Sequence, residues 1–172
     1  MAMEALGRSF DVSIGAAPVD LSTAAVTGKR VSLRNAGGCT ILVVKGAGTA
    51  GDDPTLTLKQ HTASSAGTTA NLAIIDHYYL KTEATLDGDE QWTKVTQSAA
   101  ATIADPGGAG TSAESQQIIA IEVDARSLSD GYDYISLDVA DVGTNAQLGA
   151  VLYLLRDLTT SRAPEKLIAP LS

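Results

Sequence analysis

Apolar and polar residues alternate along this chain in short runs, the period of two that marks strands whose faces see different surroundings. Residues 8–14 alternate through Phe10, Val12 and Ile14 and then meet Gly15 and Pro18. Residues 29–35 repeat the pattern through Val31 and Leu33. Ala36-Gly37-Gly38 then reads as a compact turn into the apolar run Cys39-Thr40-Ile41-Leu42-Val43-Val44, which predicts a hairpin. Residues 55–62 set Leu56 and Leu58 against Thr57, Lys59 and His61, and residues 64–69 are a polar loop. Residues 71–83 read as a bent strand, with a short helix as the alternative. After the turn Leu86-Asp87-Gly88-Asp89-Glu90, Trp92, Val95 and the Thr-rich stretch to Ile103 give one or two strands. Residues 105–112, with Pro106, Gly107, Gly108 and Gly110, form the longest flexible stretch and an expected exposed loop tip. Strands follow over 115–124, 132–139 and 147–155.

Roughly eight to ten short strands separated by turn signals, without an amphipathic helix, predict an all-β chain. The expected architecture is an antiparallel β-sandwich or jelly roll with extended terminal arms, and a barrel is the runner-up. One domain is expected over residues 1–172, with its core over about 8–158. Residues 159–172 lack a clean period and read as a C-terminal arm. Arg162, Pro164, Leu167, Ile168, Pro170 and Leu171 are its candidate contact residues, and a strap across the domain's own core is the alternative.

Composition narrows the picture. Only 4% of the 172 residues are aromatic, so the core must be built from small and β-branched side chains in closely packed sheets. A formal charge of −8 opposes binding to a phosphate backbone, which needs Lys and Arg to neutralise it. The single cysteine, Cys39, has no internal disulfide partner and reads as a small buried hydrophobe. The first eight residues lack the charged and apolar regions of a signal peptide, and no run approaches the roughly 20 apolar residues of a membrane span. A protein made soluble in the cytoplasm is expected.

Candidate chemistry is sparse. Gly46-Ala47-Gly48-Thr49-Ala50-Gly51 is a literal GxGxxG after an apolar strand, but Asp52-Asp53-Pro54 and a Thr/Leu alternation follow where a helix should receive phosphate. A permissive loop is expected there. The acidic turn at Asp87, Asp89 and Glu90 lacks calcium-loop spacing, as do Asp52, Asp53, Asp130, Asp133, Asp138 and Asp141, and solvated turns are expected. His61 and His77 are the two imidazoles. Asp76 and His77 are adjacent and would point apart in an extended strand. His77 with Tyr78 and Tyr79 would offer polar tips at a surface or interface, and Trp92 is a core anchor or an interface contact. No catalytic, metal or cofactor residue is assigned, and no enzyme activity is expected.

Three blocks carry a likeness. Val31-Ser32-Leu33-Arg34-Asn35-Ala36-Gly37-Gly38 runs on through Lys45-Gly46-Ala47-Gly48-Thr49-Ala50-Gly51-Asp52-Asp53-Pro54-Thr55-Leu56-Thr57-Leu58. Ala73-Ile74-Ile75-Asp76-His77-Tyr78-Tyr79-Leu80-Lys81 and Asp141-Val142-Gly143-Thr144-Asn145-Ala146-Gln147-Leu148-Gly149-Ala150-Val151-Leu152-Tyr153 follow later. Together they resemble the small virion structural proteins of tailed bacteriophages. The resemblance implies a capsid decoration, or cement, protein: non-enzymatic, commonly a homotrimer, bound to the major capsid protein on the outer surface of the virion and clamping the shell. A neck, tail or baseplate component is the alternative within that group, and a carbohydrate-binding module is the alternative outside it.

Overall fold

The computed structural model describes residues 5–171. Eleven strands form two antiparallel sheets. In chain order they are β1 (Phe10–Asp20), β2 (Val31–Ser32), β3 (Ala36–Lys45), β4 (Thr55–His61), β5 (Thr69–Asn71), β6 (Ile75–Glu83), β7 (Thr93–Ala100), β8 (Thr102–Ala104), β9 (Gln116–Asp124), β10 (Tyr134–Val139) and β11 (Leu148–Leu158). The larger sheet has the order β1-β11-β3-β9-β6-β7, and the smaller has β2-β10-β4-β5 with β8 alongside β4. The all-β sandwich class expected from the alternation is the observed one. Two short 3-10 turns, Ala125–Ser127 and Pro164–Lys166, are the helical segments among the described residues.

The core lies between the sheets. Ile41, Ile119, Ile121 and Tyr153 from the larger sheet meet Leu56, Leu58, Ile103, Ile135 and Leu137 from the smaller, all essentially free of solvent. Cys39 is buried among them, and burial holds its thiol well above the usual range. Tyr153 ties the two layers together: its hydroxyl donates to the Lys29 carbonyl at 2.9 Å and accepts from the Leu137 amide at 3.0 Å. The ring needs room, and Gly15 supplies it. A Cβ at Gly15 would lie 2.7 Å from that ring, and β1 bulges at the same point.

Three local expectations are corrected. Residues 29–45 are not a hairpin, because β2 pairs with β10 in the smaller sheet while β3 lies between β11 and β9 in the larger. The turn sits one step earlier, closed by the Ala36 amide on the Leu33 carbonyl, and Ala36, Gly37 and Gly38 are strand residues. Gly38 is needed there because a side chain would collide with the Val123 carbonyl oxygen at 2.6 Å. The loop at 105–112 is not wholly an exposed tip, since Pro106 and Ser112 are buried against the domain.

The third correction concerns the C-terminal segment, which folds back rather than extending as an arm. The Arg162 amide donates to the Gly7 carbonyl, and the Ser32 amide donates to the Pro170 carbonyl. Leu167, Ile168 and Pro170 line a small groove with Leu155, Leu158, Asn35 and Asp11. Leu155 and Leu158 end β11, so this strap closes one end of the sandwich. Its apolar residues had a duty that no local period reveals. Ile168 and Leu171 still keep exposed surface.

Candidate interaction surface

The outer face of the larger sheet is apolar where an antiparallel sheet facing water should be polar. Strand register places the residues. Ile14, Leu152, Leu42, Ala120 and Tyr79 lie in one row across β1, β11, β3, β9 and β6, and Lys94 of β7 continues it. The row on one side holds Val12, Leu154, Thr40 and Glu122. The row on the other holds Ala150, Val44, Ile118 and Lys81. Solvent reaches this face: Val12 is 42%, Ile14 37% and Val44 41% exposed, while Leu42, Ile118, Leu152 and Leu154 are half-buried by one another.

The rim is polar and partly paired. Lys81 Nζ lies 5.4 Å from the centre of the Trp92 ring, and Trp92 is 48% exposed, so the only Trp is a surface group rather than a core anchor. Glu122 accepts from the Thr40 hydroxyl at 2.8 Å and from Arg156 Nε at 3.2 Å. Arg156 reaches on to Asp157, and Asp124 is held well below the usual carboxylate range by hydrogen bonds from Arg126. Among the described residues, no charged side chain interrupts the centre of the face.

Tyr78 and Tyr79 separate here. Tyr79 lies on the open face, edge-on to His77 at 5.6 Å between ring centres. Tyr78 points the other way and is buried, its hydroxyl accepting from the Gly107 amide at 2.8 Å. The expectation that Tyr78 belongs to an interface is therefore corrected: it is a core residue that anchors the 105–112 loop. Asp76 and His77, expected to diverge, meet at 2.6 Å. The register between β6 and β7 shifts between Ile75 and His77, and this irregularity turns the two side chains together.

The remaining candidates stay apart. His61 is buried on the smaller sheet, with Nδ1 2.9 Å from Thr69 Oγ1 and Nε2 2.8 Å from Ser136 Oγ. Burial, with Arg30 nearby, pushes its pKa down to about 4, so the ring is neutral at pH 7. Glu83, Asp87, Asp89 and Glu90 approach within ligand distance of one another, but Glu90 already accepts from the Asp87 and Gly88 amides and closes the turn. Asp52 accepts from Asn145, Asp53 from Ser112, Asp133 from Arg34 and Asp138 from the Gly28 amide, so these acids serve separate loops. The GxGxxG segment is the crossing loop between β3 and β4 and leads into a strand.

Arg162, Pro164, Leu167, Ile168, Pro170 and Leu171 all lie in the strap, at the end of the sandwich marked by Leu155 and Leu158. The sheet face itself was missed in the sequence, although a signal for it is present. Residues 39–44, 118–121 and 148–155 are nearly continuous apolar runs, which demand cover on both sides of a strand. The second sheet covers only one side.

Fold and face together define a two-sheet β-sandwich with an uncovered apolar sheet surface. No protein-family model, curated protein or solved structure matches the chain.

Proposed function

We propose that this chain is a non-enzymatic structural protein of a tailed-bacteriophage virion, of the capsid-decoration type, which binds the outer shell and stabilises it. The observation that carries the reading is the apolar outer face of the larger sheet. A folded protein that leaves Val12, Ile14, Val44 and Trp92 open beside a continuous row of Leu and Ile is built to be covered by protein. The resemblance of residues 31–58, 73–81 and 141–153 to small virion proteins supplies the setting.

In this reading the partners are the major capsid protein and further copies of the chain, and the site of action is the outer surface of the virion. The net charge of −8 fits a protein that works outside the shell and away from packaged DNA. Affinity would come from modest contacts repeated over many equivalent sites. The strap, with Ile168 and Leu171 exposed, and the exposed Trp92 are the segments assigned to the shell.

The test is co-sedimentation of the purified protein with shells prepared without it. Saturable binding in fixed proportion to the major capsid protein is expected. Failure to bind shells that are competent for other surface proteins contradicts the assignment, and recovery on necks or tails instead moves it within the virion.

A further inference from the structure

We propose that the apolar face of the larger sheet is covered by a second copy of this chain, packed face to face about a twofold axis that runs across the strands along the row Ile14, Leu152, Leu42 and Ala120. This rests on the same face as the proposed function but commits it to one occupant.

A twofold axis in that direction exchanges the two flanking rows. Leu154 of one copy then lies over Ala150 of the other, large side chain against small, and Thr40 lies over Val44. On β9, Glu122 moves over Ile118, immediately beside Lys81 on β6. Opposite charges at the rim thus meet twice by symmetry, while Ile14, Leu152 and Leu42 pack on their own symmetry mates. A twofold axis along the strands, passing through β3, would instead lay the Glu122 carboxylate on Leu154, three strands away from Lys81. The sizes and charges of the face select the first arrangement.

The area suffices. Three rows spaced by roughly 7 Å on four strands spaced by roughly 4.8 Å cover about 400 Å² in plan on each copy. Side-chain relief and the Glu122–Lys81 rim bring the pair to roughly 1,000 Å² in total, about the minimum for a specific interface. Sheets packed in this way keep their strand directions within about 30°, which the twist of a six-stranded sheet accommodates. A twofold pair departs from the trimer that the family resemblance implies.

Sedimentation equilibrium of the full chain, over roughly 1 to 100 μM, decides the stoichiometry. The expected species has twice the 17.6 kDa chain mass. A monomer at all concentrations, or a three-copy mass, overturns the pairing. Leu152→Glu, checked for native circular dichroism, is expected to weaken association more than 100-fold. Where that variant does not fold, Leu152→Cys answers the same question: a short bismaleimide should join two copies through position 152 but not through Asn71→Cys on the other sheet, and the opposite pattern refutes the proposal. The native Cys39 is buried and does not react. Glu122→Lys should weaken the pair about tenfold and Lys81→Glu on the same chain should restore it, an outcome that a purely structural role of Glu122 would not give. Shell binding is measured separately. A monomer that still binds shells sinks the pairing alone, and a dimer that binds none sinks the functional reading alone.

Discussion

Tyr153 and His61 carry the two sharpest expectations at the level of single residues. The Tyr153 hydroxyl satisfies both the buried Leu137 amide and the Lys29 carbonyl, so Tyr153→Phe leaves those groups without their partner. A loss of about 1–3 kcal/mol in urea unfolding is expected, with the fold retained. Gly15→Ala forces a methyl against the same ring and should cost about 1–3 kcal/mol by the same measurement. His61 is neutral in the fold down to about pH 4 but takes a proton near pH 6.5 once unfolded. The unfolded state therefore binds more protons between those values, and stability falls as pH drops from about 6.5 to about 4. His61→Gln, which can still bond Thr69 and Ser136 but cannot titrate there, should flatten that part of the stability curve. An unchanged slope would show that other groups set it.

Elements explain what the chain pattern revealed and what it concealed. Alternation in β4 identified Leu56 and Leu58 as inner and Thr57 and Lys59 as outer residues, but it misplaced His61, which it sets on the polar side and which is buried. In β1 the same alternation misleads: Val12 and Ile14 face outward, and Gly15 and Ala16 are the buried positions. Period alone cannot tell which face is inside when the outer one is also apolar. The 29–45 segment was misread because Gly37 and Gly38 look like a turn, whereas close approach to Asp157, Val123 and Arg156 requires them within a strand. The strap stood only as the alternative to an arm because its hydrogen bonds reach Gly7 and Ser32, more than a hundred residues away. Removing residues 163–172 uncovers Leu155 and Leu158 but leaves both sheets intact. The truncated protein is expected to fold, to melt several degrees lower in a thermal scan, and to lose shell binding. Complete unfolding would instead make the strap part of the essential core.

At the scale of the whole molecule, the larger sheet is a central layer with only one of its two sides covered. Its inner side meets the smaller sheet, and its outer side presents a row of Ile and Leu flanked by Glu122 and Lys81. That asymmetry, together with the separation of the acidic and imidazole groups into distinct loops, is why the chain reads as a building block of an assembly. If the chain is the virion protein proposed above, the most direct measurement is immunogold labelling of intact particles of the phage concerned, with antibody raised against the folded protein. The account predicts gold spread over the faces of the head. Label confined to the neck or tail, or its absence from purified particles, would contradict it.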